Sequence, residues 1–342
     1  MTVPEPPVRQ RDWRTAARRT LMITVLLVIA VAVTLALRGQ DWSVLAAATE
    51  GREPIFFVLL VGGAFLANAL AMLLAMTAWR AMLSGLGEPV GRIAAARIFF
   101  VGQFAKFVPG KVLGLVISVQ MGRSIGVSPS RMMSAYLLTV VVILLTGATV
   151  GIAAGPELLG ASTGWLVLAV LPVMAVLIRP HLIDLAAASA AHLLRRPAPA
   201  TTGSGRGIRR AVVAQLAAWL LGGVQLWLLA LVMGVPPARS LLLCIGGFSL
   251  ATVAGMLAVF APEGIGFREV VLLAALGVIL PLPAAGVVVL ASRLVTMLSE
   301  VAAAGAGLLV TEVHRRRGSR SWRQPLPAGR LRLSESYDER EQ

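Results

Sequence analysis

Long apolar runs constrain this chain most, because each is about as long as a membrane-spanning helix. The hydrocarbon core of a bilayer is about 30 Å thick, and a helix crosses it with about 20 apolar residues. Such runs begin near residues 20, 55, 132, 211 and 284. They are continuous and rich in Leu, Ala and Val, whereas a transmembrane β-barrel alternates apolar and polar residues over segments of about ten. The sequence therefore predicts an all-α polytopic membrane protein.

Few residues are available for redox or metal chemistry. The single cysteine, Cys244, lies in an apolar run and has no second cysteine to pair with. The three histidines, His181, His192 and His314, are far apart and lack the close spacing that is typical of metal sites. No nucleotide-binding loop or nucleophile elbow is present in the sequence. We therefore expect no cofactor and no metal.

The formal net charge of +15 comes largely from arginines beside the apolar runs. Basic residues are enriched in cytoplasmic loops and contact anionic lipids, so this charge indicates membrane lipid rather than nucleic acid as the partner. The most basic segments are 1–19, 179–210 and 311–342, and within the second we expect an interfacial helix at 181–194. Both termini are then predicted to be cytoplasmic. Full spans are predicted at about 20–37, 55–80, 132–154, 164–178, 211–233 and 284–310.

Two stretches with helix-breaking residues interrupt this pattern, FVPGKVLG at 107–114 and FAPEGIGFRE at 260–269. Proline lacks a backbone donor, and glycine adopts conformations that other residues avoid. The arginine positions require 93–126 to enter and leave on the cytoplasmic face, and 240–281 on the outer face. Both are therefore predicted to be re-entrant hairpins. The residues at their tips are Pro109, Gly110, Pro262, Gly264 and Gly266.

Span, hairpin and span follow one another twice within the transmembrane domain at 20–310, which predicts an inverted repeat. Repeat one covers about 55–154 and repeat two about 211–310. Matched broken helices near the bilayer midplane are a recurrent plan of secondary transporters and point to the substrate site. Broken backbone at membrane depth is tolerated where it is buried in protein or lines a wet cavity. We therefore expect a transport site between the hairpins.

Charged residues lie at membrane depth beside both breaks and in the last span. A charge at mid-bilayer costs about 2.5–3.5 kcal/mol on insertion scales, so each of them needs a function or a partner. Together with the hairpin tips they form the candidate headgroup-binding set. It comprises Lys106, Pro109, Gly110, Lys111, Pro262, Glu263, Gly264, Gly266, Arg268, Glu269, Arg293 and Glu300.

These charges allow two interpretations. In the first, the lysines and arginines hold a phosphate, because guanidinium binds phosphate through a bidentate fork. The glutamates then balance the empty site or meet a cationic group, and half-helix N-termini add positive potential. In the second, Arg268–Glu300 or Arg293–Glu269 are buried ion pairs that lock the second hairpin to the last span. The lysines then extend to an interface.

Uncharged polar residues and glycines in the spans have simpler interpretations. Asn68, Gln103, Gln215 and Gln225 are expected to form interhelical hydrogen bonds more often than to bind a ligand. Overlapping G-x-x-x-G steps at Gly147, Gly151 and Gly155 are expected to let helices approach closely. Interface or packing positions are expected for Trp165, Trp219 and Trp227.

Four motifs carry a resemblance to a known family: GQFAKFVPGKVLG (102–114), MGRSIGVSPSRMMSAYLL (121–138), PEGIGFREVVLLAALG (262–277) and ASRLVTMLSEVAAAG (291–305). Over about 90–310 the chain resembles the flippase-like membrane domain of bacterial lysylphosphatidylglycerol synthases and their stand-alone relatives. The family's second hairpin is similar to P-x-G-x-G-x-R-E followed by a lone arginine in the last helix. The matching positions are Pro262, Gly264, Gly266, Arg268, Glu269 and Arg293.

This resemblance implies lipid translocation. Two-domain members move lysylated phosphatidylglycerol to the outer leaflet, and relatives have been linked to polyprenyl-linked sugars. After residue 310 this chain has a basic tail of about 30 residues, which is too short for the aminoacyl-transferase domain of the full synthases. We therefore expect a transporter and not an enzyme.

The leading hypothesis is a lipid flippase for an anionic phospholipid or a polyprenyl-phosphate glycolipid. It acts as a homo-oligomer or beside a partner synthase. A lipid-linked glycosyltransferase is the alternative, with carboxylates at Asp41, Glu50 and Glu53. A third reading is a non-catalytic membrane partner of a cell-envelope synthase, in which the hairpin charges are structural.

Overall fold

The computed structural model describes residues 53–104, 113–154, 164–193, 204–258, 264 and 266–321, together with residues 43, 46 and 50. In residues 53–321 these described parts form ten helices and no strand, which confirms the predicted all-α class. The helices are α1 (Pro54–Gly85), α2 (Arg92–Phe104), α3 (Leu113–Arg123), α4 (Pro129–Ala153), α5 (Gly164–Ile178), α6 (His181–Leu193), α7 (Gly205–Val232), α8 (Pro237–Leu257), α9 (Phe267–Leu276) and α10 (Leu282–Ser321).

Five of the described helices are long and apolar enough to cross a membrane, namely α1, α4, α7, α8 and the Leu282–Ala306 part of α10. Four of them correspond to the spans predicted at about 55–80, 132–154, 211–233 and 284–310. The fifth, α8, lies in the segment 240–281 that is predicted to be a hairpin, yet its length is that of a span. The predicted span at 20–37 lies outside the described residues.

The predicted span at 164–178 forms α5, which has 15 residues and contains Pro172. A bend of 117° separates its last turns from α6, at the position of the predicted interfacial helix. The Arg209 side chain fixes this corner from α7: its Nε donates to the Leu177 carbonyl oxygen at 2.8 Å. Here a single guanidinium satisfies a carbonyl at the end of α5 that has no partner within the helix.

Prolines mark the start of three of the long helices, at Pro54, Pro129 and Pro237. Proline is tolerated in the first turn because its missing N–H would have no partner within the helix. Before α4, the Ser128 side chain accepts a hydrogen bond from the Arg131 backbone N–H and caps the helix.

Both predicted helix breaks separate a pair of helices. The first lies between α2 and α3, which have 13 and 11 residues and are about 20 and 16 Å long. The second lies between α8 and α9, which have 21 and 10 residues and are about 31 and 15 Å long. We call α2 and α3 the first hairpin, and α8 and α9 the second hairpin. The membrane face on which each begins stays a prediction.

Helices of each half of the molecule pack against helices of the other half. The most extensive helix contact joins α1 to α7, the opening helices of the two predicted repeats. In addition, α2 packs against α10 and α8 packs against α4. The first arm of each hairpin therefore packs on the closing span of the other half. This pattern is unchanged when the halves are interchanged, as two related units would require.

Two apolar cores hold the described helices together. One contains Met82, Leu138 and Ile183 from α1, α4 and α6. The other contains Leu243 and Leu276 from the second hairpin, with residues of α7 and α10. Many apolar side chains on α1 remain exposed, as expected for a helix that faces lipid.

Candidate functional site

A cavity of about 330 Å³ lies where the two hairpins meet the central helices. Eight helices contribute side chains to its wall, and of the described helices only α5 and α6 do not. Its volume is at the lower end of the range of about 300–1,000 Å³ that is typical of small-ligand sites. Because residues of both halves line it, this cavity is the candidate substrate site. It lies between the hairpins, where the sequence predicts a site.

Two charged residues of the candidate set, Arg268 and Glu300, line this cavity. Arg268 is the second residue of α9, and its guanidinium carbon lies 5.3 Å from the centre of the Phe248 ring. This cation–π contact orients the guanidinium. Glu300 on α10 is only 5% exposed. A cation and an anion from two different helices therefore meet one apolar-walled space.

Arg293 and Glu269 form an ion pair between α10 and α9. Their side chains are 19% and 25% exposed, and neither residue lines the cavity. The other oxygen of Glu269 accepts a hydrogen bond from the Gly266 backbone N–H at 2.7 Å. The positive N-terminal end of α9 thus meets a carboxylate of its own chain. For this pair the structure shows the locking ion pair that the second interpretation described.

Two glycines shape the turn that leads into α9. Gly264 and Gly266 have φ angles of 72° and 90°, in the left-handed region that other residues rarely adopt. Any Cβ on Gly264 would collide with the backbone of Gly255 in α8. The turn can therefore lie against α8 only if this position is glycine. That close approach helps to set where α9 begins, and with it the position of Arg268.

Six residues of the candidate set lie outside the described residues. They are Lys106, Pro109, Gly110, Lys111, Pro262 and Glu263. Their part in the site stays a prediction.

Aromatic pairs form two walls of the cavity, and each half contributes one. Trp79 and Phe99 have ring centres 6.1 Å apart, and Trp219 and Phe248 have ring centres 6.3 Å apart. The Trp219 indole N–H donates to the Thr146 hydroxyl at 3.0 Å. Trp219 is thus a packing residue, as expected, and also part of the cavity wall.

The amide side chains singled out in the sequence divide into two groups. Gln225 exchanges hydrogen bonds with the Ser292 hydroxyl at 3.2 and 3.3 Å, which confirms it as a link between α7 and α10. Asn68, Gln103 and Gln215 instead line the cavity. Gln215 is 4% exposed, and its side-chain oxygen has no hydrogen-bond partner within the described structure.

Sequence reasoning missed the hydroxyl-bearing residues of the wall. They are Ser118, Tyr136, Thr139, Thr252 and Thr296, and they come from four helices. One signal was present: Tyr136, Thr139 and Ile143 follow one another at helical spacing, so they share one face of α4. Nothing in the linear pattern assigns the others to the same space.

Glycine contacts hold α8 against α4. A Cβ on Gly147 would lie 2.7 Å from Val253, and one on Gly151 would collide with Leu250. The predicted close approach is confirmed at these two positions, whereas Gly155 lies outside the described residues. The α8 side of the cavity is therefore positioned by side chains of α8 that pack directly on the backbone of α4.

The comparison with protein families agrees with this architecture. A family model described as the lysylphosphatidylglycerol synthase TM region matches residues 22–304. This chain belongs to that family. The match includes every described residue of the cavity and extends towards the N-terminus beyond the motifs at 102–305. No curated protein matches the chain. Family membership identifies a multi-pass membrane protein related to lipid synthesis or flipping, and it leaves the substrate open.

Proposed function

We propose that this protein moves a lipid with an anionic headgroup between the leaflets of a membrane. The lipid is a phospholipid or a polyprenyl-phosphate-linked glycolipid. The observation that carries this proposal is the cavity shared by the two hairpins, with Arg268 and Glu300 in its wall. A space between helices that is lined by charged and polar side chains as well as apolar ones suits a headgroup, while the acyl or prenyl chains stay in lipid.

Arg268 binds the phosphate in this proposal. Its guanidinium lies against Phe248, so little side-chain freedom is lost when a phosphate binds. Glu300 balances this charge when the cavity is empty. The Arg293–Glu269 pair keeps α9 against α10 and so positions Arg268.

Alternating access follows if the two halves are inverted repeats with re-entrant hairpins. The exchange of contacts supports this arrangement, because each hairpin packs on the closing span of the other half. Rocking one half against the other would then open the shared cavity first to one leaflet and then to the other.

The proposal also includes the membrane in which the protein functions and its partners. It functions in an inner (plasma) membrane of bacterial type with both termini in the cytoplasm, where arginine-rich segments meet anionic lipid. It is a transporter rather than an enzyme, and it functions as a homo-oligomer or beside a separate synthase. For the glycosyltransferase alternative, Glu50 and Glu53 are exposed and Asp41 lies outside the described residues.

The test is lipid movement in proteoliposomes that contain a headgroup-labelled anionic phospholipid. Wild-type protein should expose the label on the inner leaflet to an added quencher, and Arg268→Met should slow this at least tenfold because the phosphate loses its cation. Arg239→Met is the matched control, because Arg239 is exposed at the start of α8.

Thermal unfolding of all three proteins separates loss of function from loss of fold. An equally stable Arg268→Met variant that moves lipid at the wild-type rate would contradict the proposal. So would wild-type protein whose rate matches that of empty vesicles.

A further inference from the structure

Four of the five described hydroxyl groups that line the cavity, all except that of Tyr136, are hydrogen-bond acceptors. Thr139, Thr252 and Thr296 each donate their hydroxyl hydrogen to the carbonyl oxygen four residues earlier, at 2.7–2.8 Å. Ser118 does the same at 2.8 Å. A hydroxyl has one hydrogen, so these four oxygens can only accept a hydrogen bond from a bound molecule.

Gln215 adds a fifth acceptor to this wall. Its side-chain oxygen is buried and has no hydrogen-bond partner in the described structure, although the residue is only 4% exposed. Buried acceptors without a donor are rare in folded proteins because they have lost water without compensation. Because Gln215 lines the cavity, a small turn of its amide would bring this oxygen to a donor bound there.

The five acceptors are spread over α3, α4, α7, α8 and α10. An ammonium group carries three donors on a single nitrogen, so it cannot serve oxygens on five separate helices. Several hydroxyl groups on one carbon skeleton can do so. The Trp79–Phe99 and Trp219–Phe248 pairs offer apolar faces to the carbon atoms of such a skeleton.

From this arrangement we propose that the cavity selects lipids whose phosphate carries a polyhydroxylated headgroup, a sugar or a polyol. The phosphate lies at Arg268, and the hydroxyl groups donate to the five acceptors. This inference rests on the proposed function, since it names the headgroup class that the same cavity takes.

Affinities for lipids with matched acyl chains test the proposal, measured by native mass spectrometry of the full chain in detergent. The probes are phosphatidylinositol and phosphatidylglycerol as polyols, phosphatidic acid as a phosphate without a polyol, and phosphatidylethanolamine as an ammonium lipid. A polyprenyl-phosphate hexose distinguishes a glycolipid source from a phospholipid source. Wild-type protein should bind the inositol or hexose lipid about tenfold more tightly than phosphatidic acid, because several hydrogen bonds are added.

Two variants remove single acceptors. Gln215→Met and Thr139→Val should each reduce the preference for the polyol lipid about fivefold and leave the affinity for phosphatidic acid unchanged. Thr139 donates only within its own helix, so its replacement leaves every described interhelical hydrogen bond in place. Matched controls are Gln120→Met and Thr77→Val, because both residues are exposed and Thr77 makes the same bond to the carbonyl four residues earlier.

Equal affinity of the wild type for phosphatidylinositol, the hexose lipid and phosphatidic acid would overturn the inference. Tighter binding of phosphatidylethanolamine would also overturn it, as would an undiminished polyol preference in both acceptor variants. In those cases the proposed function survives if the Arg268→Met variant still binds anionic lipid more weakly than the wild type. If the wild type retains none of the five lipids, the proposed function itself fails.

Discussion

The first and second hairpins border the same cavity but differ in construction. In the first, α2 and α3 have 13 and 11 residues, so neither is long enough to cross a membrane. In the second, α8 has 21 residues and the length of a full span, whereas α9 has 10. The two hairpins therefore have the same order of helices but different helix lengths.

The two hairpins also differ in how closely they pack against neighbouring helices. Around α8, a Cβ on Gly223 of α7 would collide with the backbone of Ile245, and a Cβ on Gly246 would collide with Ala154. In the first hairpin, a Cβ on Gly102 would meet the Ser118 hydroxyl at 2.5 Å, within the hairpin itself. The second hairpin is thus held to its neighbours by backbone approach. We expect it to be the fixed wall of the cavity and the first hairpin to be the wall that moves.

The largest effect is expected from a substitution that disrupts the packing of α8 against α7. Gly223→Ala should lower the free energy of unfolding by about 3 kcal/mol, because its methyl group meets main-chain atoms that cannot rotate away. Gly102→Ala should stay within about 1 kcal/mol of wild type, because the Ser118 side chain can turn and alanine favours the helix. Unfolding in detergent micelles measures both.

Gly62→Ala is the control for this pair, since Gly62 is an exposed helical position with nothing within 4 Å of a Cβ. It should be neutral or slightly stabilising. If Gly102→Ala destabilises as much as Gly223→Ala, the two hairpins are packed alike and the comparison fails.

The next effect concerns the ion pair that fixes α9 to α10. Arg293→Met should cost about 2 kcal/mol, because Glu269 then keeps a partly buried charge without its cation. The double variant Glu269→Gln with Arg293→Met should recover at least half of this loss, since glutamine can still cap α9. The free energy of unfolding in micelles distinguishes them. A single variant as stable as wild type would show that the pair does not hold the second hairpin.

Hydrogen exchange compares the two hairpins without mutation. Amides of α2 and α3 should exchange about tenfold faster than those in the middle of α8, because local opening follows local packing. Exchange followed by mass spectrometry on the protein in nanodiscs measures this difference. Equal protection of the three helices would mean that the first hairpin is as fixed as the second.

The smallest effect is expected at the surface ion pair beside the first hairpin. Arg131 Nη1 lies 3.0 Å from Glu88 Oε1, and the two side chains are 47% and 20% exposed. Arg131→Met should cost about 0.5 kcal/mol or less, because the Arg131 side chain is about half exposed and its charge is solvated and screened. Thermal unfolding at low and high salt checks this value. A loss of stability as large as that of Arg293→Met would contradict the contrast between the two hairpins.

Sequence patterns predicted the helix breaks well because the causes are local. Proline and glycine disturb a helix wherever they occur, and both predicted tips fall between helices of the structure. The length of α8 was missed for a different reason. Arginine positions constrain which loops face the cytoplasm, but they do not limit how far a helix between them extends.

The site was predictable only in part. Arg268 and Glu300 were candidates because charges at membrane depth are costly, and both line the cavity. Whether Arg293 faces a headgroup or pairs with Glu269 was open, because residues 24 positions apart on two helices have no fixed relation in sequence. For Thr139 the only signal was its helical spacing with Tyr136 and Ile143, and Thr252 gave none, because a threonine in a span most often bonds only within its own helix.

By itself, the sequence determined the membrane class, the long apolar helices and the two breaks, since apolar length and backbone chemistry act over a few residues. Tertiary structure alone decided which of the polar residues meet. It paired Arg293 with Glu269, placed Arg268 over Phe248, and gathered hydrogen-bond acceptors from five helices around one cavity. The physical reason is that interhelical packing depends on how entire helix faces fit together, and no short stretch of sequence contains that information.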